Sequence, residues 1–190
     1  PVSVELKIDQ SVSHDGVCLT VDALKDGMHR VTAIEETLRK TNLATWQPGT
    51  EVNIERCMVM NGRLDGHIVQ GHVDTTTVCT ERKALEGSWE YRFQFPAEFA
   101  HLVIEKGSIA INGTSLTCFN VTKDSFTVAI IPYTFEHTSI KERIKPCFNL
   151  ANAIQGQTDQ LALNHFHVNL KPLAKFEGNI TDSEQTGLLF

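Results

Sequence analysis

Asp15-Gly16-Val17-Cys18-Leu19-Thr20-Val21 returns later in the chain as Asn112-Gly113-Thr114-Ser115-Leu116-Thr117-Cys118, at an offset of 97 (112 minus 15). The match extends both ways. Upstream, Ser11-Val12-Ser13-His14 faces Ser108-Ile109-Ala110-Ile111. Downstream, the same offset pairs Val31 with Val128, Ile34 with Ile131, Thr37 with Thr134 and Thr41 with Thr138. A short motif can recur by chance, but agreement sustained from Ser11 to Thr41 at one offset is the mark of an internal duplication.

Each copy reads as β structure. Asp15-Gly16 and Asn112-Gly113 are hairpin-turn dipeptides, because Asn, Asp and Gly tolerate positive φ. Alternating stretches such as Ser125-Phe126-Thr127-Val128-Ala129-Ile130-Ile131 then suit strands with one buried face. The expected fold is all-β: two tandem six-stranded Greek-key β-barrels related by the duplication, closed so that no sheet edge is exposed. Helix is expected to be scarce, with one or two turns over Pro96–Val103, opening with Pro at its first position, and a helix allowed at the C-terminal end. Lys83-Ala84-Leu85-Glu86-Gly87-Ser88 breaks the strand pattern. The expected units are therefore residues 1–87 and 88–150, with 151–190 an unassigned tail.

The 190 residues suffice for two units of roughly 90 residues each. A net charge of −6 leaves no basic surplus to neutralise phosphates, which argues against a nucleic-acid or anionic-membrane binder. No apolar run approaches the ~20 residues that span a bilayer. Pro1-Val2-Ser3-Val4-Glu5-Leu6 lacks the pattern of a secretory signal. Five cysteines, an odd number without Cys-x-x-Cys spacing, point to a reducing, cytoplasmic setting.

Differences between the copies are where asymmetric chemistry can reside. Cys18 stands where the second copy has Ser115, and Thr20 and Thr117 follow two residues along on the same strand face. The bland alternative is a small side chain packed at a strand start; the functional one is a pair of nucleophiles or hydrogen-bonding groups at equivalent sites. Gly66-His67-Ile68-Val69-Gln70-Gly71-His72-Val73-Asp74 has no partner in the second copy. Its histidines are five apart, which argues against a shared metal, yet either can titrate near neutrality beside a ligand. Phosphate-loop, zinc-helix, dinucleotide and nucleophile-elbow motifs are all absent.

Taken together these stretches resemble the riboflavin synthase family (the alpha-chain family of the lumazine-protein superfamily). The resemblance is carried by Asp15–Val21 and Asn112–Thr117, by Glu36-Thr-Leu-Arg-Lys-Thr-Asn-Leu43 and by Gly66–Val73. Lys106-Gly-Ser-Ile-Ala-Ile-Asn-Gly113 and Ile131-Pro-Tyr-Thr-Phe-Glu136 complete it, over roughly residues 3–150. It implies an enzyme that dismutates two molecules of 6,7-dimethyl-8-ribityllumazine by four-carbon transfer, with no metal and no organic cofactor. It also implies a homotrimer, with association with lumazine synthase as a further partner. The catalytic residues carried over are Cys18, His72, Ser115 and Thr117: His72 with Ser115 or Thr117 as the place to seek a base, Cys18 or Ser115 for activating the second ring. The substrate-binding positions in the first copy are Cys18, Leu19, Thr20, then Thr32, Ala33, Ile34, Glu35, Glu36 and Thr37, with Gly71, His72 and Val73. In the second they are Lys106, Ser115, Leu116, Thr117, then Ile131, Pro132, Tyr133, Thr134, Phe135 and Glu136.

Two departures from the family pattern stand out. The Met-Phe-Thr-Gly-like segment and first strand of the family are not ahead of Pro1, so the first barrel's opening strand is missing or displaced. After Leu150 the chain reads Ala151-Asn152-Ala153, without the family's acidic residue. Both favour an alternative, a lumazine- or flavin-carrying protein of the same fold. A flavin oxidoreductase fits less well, since it would need a nucleotide-binding domain that this length does not accommodate.

Overall fold

The computed structural model describes residues 5–142, 147–152, 166–167, 173–177 and 185–189. Each copy starts as a tight hairpin. Strands β1 (Ser11–His14) and β2 (Val17–Lys25) flank Asp15-Gly16, with φ 47° and 83°. Their counterparts β8 (Ser108–Ile111) and β9 (Thr114–Phe119) flank Asn112-Gly113, with φ 46° and 72°. Two consecutive left-handed residues match the twist of the flanking strands, which is why Asp-Gly and Asn-Gly stand there. The remaining elements are β3 (Met28–Ile34), α1 (Glu35–Lys40), β4 (Glu51–Arg56), β5 (Ile68–Val69), β6 (Thr75–Leu85) and β7 (Ser88–Gln94). They are followed by β10 (Ser125–Ile130), α2 (Pro132–His137), β11 (Cys147–Asn152), β12 (Phe166–His167), β13 (Leu173–Lys175) and β14 (Gln185–Leu189).

The second copy closes into a barrel in the order β10-β7-β6-β11-β8-β9. Its core is aromatic: Phe93 lies 5.5 Å from Phe126 and meets Phe148 edge-on at 5.2 Å, among Tyr91, Ile109, Ile111, Val128 and Ile130. The first copy forms a six-stranded sheet, β13-β4-β1-β2-β3-β14, around Val12, Leu19, Val21, Val31, Val52, Ile54, Trp46 and Phe176.

The strand assignments change the expected units. The 87/88 boundary falls inside the β6–β7 hairpin, both strands of which belong to the second barrel. The break in pattern at Glu86-Gly87 is a turn within the barrel, not a linker. The tail is not a separate element either. β13 pairs with β4 as β6 pairs with β11, and β14 pairs with β3 as β7 pairs with β10. Segments that follow the second barrel thus occupy the places that β6 and β7 hold in the second copy, covering edges of the first sheet that would otherwise present unpaired backbone groups. The described parts of the tail are strands, so a C-terminal helix is not found there. The helix expected over Pro96–Val103 is a 3-10 turn, Ala97–Leu102, while short α-helices stand at Glu35–Lys40 and Pro132–His137.

A buried polar seam joins the two copies with an approximate twofold relation. Asn149 Nδ2 donates to Asn42 Oδ1 at 2.9 Å and to the Asp15 carbonyl at 3.0 Å. Asn53 Nδ2 donates to the Asn112 carbonyl at 2.8 Å, and Ser139 N donates to Asn53 Oδ1 at 2.8 Å. The hairpin turns meet back to back inside this seam. A Cβ on Gly16 would lie 2.8 Å from Gly113 N, and the reverse distance is also 2.8 Å. The seam therefore fixes Cys18 and Ser115, each two residues beyond its turn glycine, relative to one another.

Candidate active site

The segment Gly66–Val73 runs between the copies. Val69 is buried with Ala110 and Ala151 of the second barrel, and Cys18 and Cys57 of the first sheet pack on the same cluster. β5 pairs with β12, so Phe166 is registered on Val69 and His167 on Ile68. At one end of the segment, His67 Nδ1 lies 2.7 Å from Ser115 Oγ. At the other, the Gly71 carbonyl accepts a hydrogen bond from Cys18 N at 2.8 Å. The left-handed Gly71, φ 77°, lets the chain turn at that contact and present His72 beside it.

Next to Cys18 opens a cleft of about 340 Å³ lined by Val17, Cys18, Glu36, Thr37, Lys40, Thr41, Gly71, His72 and Val73. Six of the positions expected from sequence meet there: Cys18, Glu36, Thr37, Gly71, His72 and Val73. Lys40 and Thr41 were not anticipated. Their signal lies in helical periodicity, since α1 puts Lys40 four residues from Glu36, where Nζ pairs with Oε1 at 2.8 Å. Cys18 and Thr20 alternate with the buried Val17, Leu19 and Val21, so they project from the outer face of β2.

Other expected positions sit elsewhere. Leu19, Ala33 and Leu116 are core residues, 6%, 0% and 9% exposed, so their side chains face away from any ligand outside the sheet. Thr32 Oγ1 is tied to Asp22 Oδ2 at 2.5 Å. Thr134 is buried and Phe135 stacks on Trp89 with centroids 4.0 Å apart. Lys106 Nζ lies over the Phe119 ring at 5.5 Å. Ile34, Glu35, Thr117, Ile131, Pro132, Tyr133 and Glu136 are exposed around the two helices and strand faces. The residue that sequence reasoning undervalued is His67. Its pairing with Ser115 spans 48 positions and leaves no local periodicity to detect.

The electrostatics suit neutral chemistry. Burial lowers the His67 pKa, keeping the imidazole uncharged near neutral pH. Its Nε2 is buried and has no hydrogen-bond partner among the described residues. Burial raises the Cys18 pKa above the ordinary thiol value, against a smaller lowering by its hydrogen bond with Ser11. Cys18 is therefore a thiol near neutrality rather than a thiolate. The Cys57 thiol, which donates to the Ser11 carbonyl at 3.3 Å, is raised by burial and by proximity to Cys18.

Two repeated β units, one a closed barrel and the other a six-stranded sheet among the described residues, docked through a polar seam and sharing one histidine-bearing segment, define a duplicated all-β protein. The model of the Lumazine binding domain matches residues 2–57 and 70–147. Riboflavin synthase of Actinobacillus pleuropneumoniae is 36% identical over 154 residues, covering 80% of this chain and 72% of its own. That of Mycobacterium tuberculosis (strain ATCC 25618 / H37Rv) is 44% identical over 135 residues, covering 68% and 67%. The chain belongs to the riboflavin synthase family. In fold it is also similar to LumP complexed with riboflavin, with TM-score 0.70, 15% identity and coverage of 80% and 83%. LumP complexed with flavin mononucleotide gives TM-score 0.69, 16% identity and coverage of 80% and 82%.

Proposed function

We propose that this chain is a riboflavin synthase, converting two molecules of 6,7-dimethyl-8-ribityllumazine into riboflavin and 5-amino-6-ribitylamino-pyrimidinedione. The observation that carries the reading is the single segment Gly66–Val73, which delivers His67 to Ser115 of the second barrel while walling the Cys18 cleft of the first sheet with Gly71 and His72. A dismutation needs two like substrates at sites of unequal chemistry, and a duplicated fold with an unduplicated histidine segment supplies that.

The catalytic group in this reading is Cys18, His72, Ser115 and Thr117, now joined by His67. A ring methyl must lose a proton, and a neutral imidazole coupled to a hydroxyl at 2.7 Å is a fitting acceptor. Cys18, protonated, acts as a polarisable hydrogen-bonding wall beside the ring. Glu36, Lys40, Thr37 and Thr41 offer charged and hydroxyl partners for a ribityl chain in the cleft. Holding two rings in register converts a bimolecular reaction into one within a complex, and this contributes a large share of the acceleration. In the same reading the protein works in the cytoplasm as a homotrimer and associates with lumazine synthase.

The deciding experiment supplies ribityllumazine alone and follows riboflavin by absorbance and fluorescence, with the pyrimidinedione appearing in equal amount. Stoichiometric tight binding without turnover would replace the enzyme by the second reading, a lumazine or flavin carrier. The observation within the matched region that favours that reading is the Ala151-Asn152-Ala153 sequence where the family carries an acidic residue.

A further inference from the structure

Helices α1 and α2 occupy equivalent places in the two copies, and the offset of 97 sets Glu36 on Tyr133 and Lys40 on His137. In α1 these two positions form an ion pair, and both line the cleft beside Cys18. In α2 they are aromatic. The Tyr133 and His137 rings stack with centroids 4.1 Å apart and planes 20° from parallel. His137 Nδ1 donates to the Tyr133 carbonyl at 2.8 Å, which fixes the orientation of the imidazole. The stack is not part of the core. Thr134 and Phe135 take the inward positions of the helix, Phe135 against Trp89, while Tyr133 is 55% exposed.

We propose that Tyr133 and His137 are a stacking platform for the fused heteroaromatic ring held by the second barrel, so that this copy favours the larger aromatic system of the flavin product. This rests on the lumazine-binding reading above and assigns unequal parts to the two sites. A flat ring laid on a preformed aromatic pair gains contact over its whole face and asks little further ordering of the side chains. The Glu36–Lys40 pair in the first copy offers no such face. It offers an ammonium donor group and a carboxylate acceptor group, which suit polyol hydroxyls and ring edges. The first site is accordingly suited to the substrate's ribityl chain, and the second discriminates by ring area.

The test titrates the full chain with riboflavin and, separately, with 6,7-dimethyl-8-ribityllumazine, following ligand fluorescence. It compares the wild type with Tyr133→Ala, Tyr133→Phe and the double exchange Tyr133→Glu/His137→Lys, which copies the first helix. Tyr133→Ala and the double exchange should each weaken riboflavin binding at one site about tenfold, and ribityllumazine binding less, as expected for loss of one stacked ring. Tyr133→Phe should stay within about twofold of wild type, because the ring and not the hydroxyl carries the contact. Unchanged riboflavin affinity in Tyr133→Ala overturns the proposal, and so does an equal loss in Tyr133→Phe. Failure of the wild type to bind either compound is a different outcome, refuting the lumazine-binding reading itself and this proposal with it.

Discussion

His14 and His29 meet inside the first sheet, Nε2 to Nε2 at 2.8 Å, at the positions where the second barrel places Ile111 and Phe126. His14 Nδ1 faces the Val12 carbonyl at 3.1 Å, and a carbonyl can only accept, so that nitrogen carries the proton. Nε2 of the neutral His14 then accepts from the Nε2–H of His29, and a further proton has no place in the bond. Burial lowers both pKa values, His14 well below 6.5, with the neighbouring His29 adding to it, and His29 to about 4. The unfolded histidines take up protons at an ordinary pKa while the folded pair resists. The pair's contribution to stability is thus complete above about pH 6.5 and is lost as the pH falls towards 4. Thermal melts at pH 7 and 4.5 should show Tm dropping by roughly 5 °C more in the wild type than in His14→Ile/His29→Phe. Equal drops would mean that the pair does not stay neutral.

The two turn glycines are irreplaceable for a reason beyond their own φ. An alanine at Gly16 would place Cβ 2.8 Å from Gly113 N, which is backbone and cannot swing aside. Gly16→Ala is expected to cost about 2–4 kcal/mol, combining left-handed strain with a forced separation at the seam. Urea denaturation measures it. The same substitution at Gly87, where a Cβ meets nothing within 4 Å, bears only the conformational term and should cost about 1–2 kcal/mol.

Turnover should depend on His67 and Ser115 as one unit. His67→Gln and Ser115→Ala are each expected to lower kcat about 100-fold, and the double variant little further, because either change alone disables proton transfer through the 2.7 Å contact. Steady-state kinetics on the three variants gives the coupling directly. Independent, multiplying losses would separate the two residues.

Cys18 should prove slow to alkylate. With its pKa raised by burial, little thiolate exists at pH 7.5, and iodoacetamide should modify it well below the rate of an exposed cysteine. Cys18→Ser is expected to keep kcat within about tenfold of wild type, since a hydroxyl preserves the hydrogen bonding without supplying a strong nucleophile. A loss comparable to that of Ser115→Ala would restore Cys18 as a nucleophile.

How far the sequence could be read depended on the range of each interaction. The hairpins were legible because Asp15-Gly16 and Asn112-Gly113 encode their turns in adjacent residues. The outward side chains Cys18, Thr20, Ser115 and Thr117 followed from the strict alternation of a strand. Helices α1 and α2 were not among the expected helices, since six residues span less than two turns and only the Glu36–Lys40 spacing carries a helical signal. The unit boundary was misplaced because a hairpin turn and a linker share the same Gly-containing composition at Glu86-Gly87.

The duplication, the β architecture and the family were fixed by the amino-acid sequence alone, because local turn chemistry, side-chain alternation and a constant offset need no coordinates. The tertiary structure alone decided three things: the back-to-back contact of Gly16 with Gly113, the reach of His67 to Ser115, and the strands β13 and β14 that border the first sheet. Each joins residues distant in the chain, whose meeting depends on how the two copies pack. For the opening pair, the chain shows histidines where its other half has Ile111 and Phe126, but only the fold brings them within 2.8 Å and out of water, where their resistance to a further proton makes stability depend on pH.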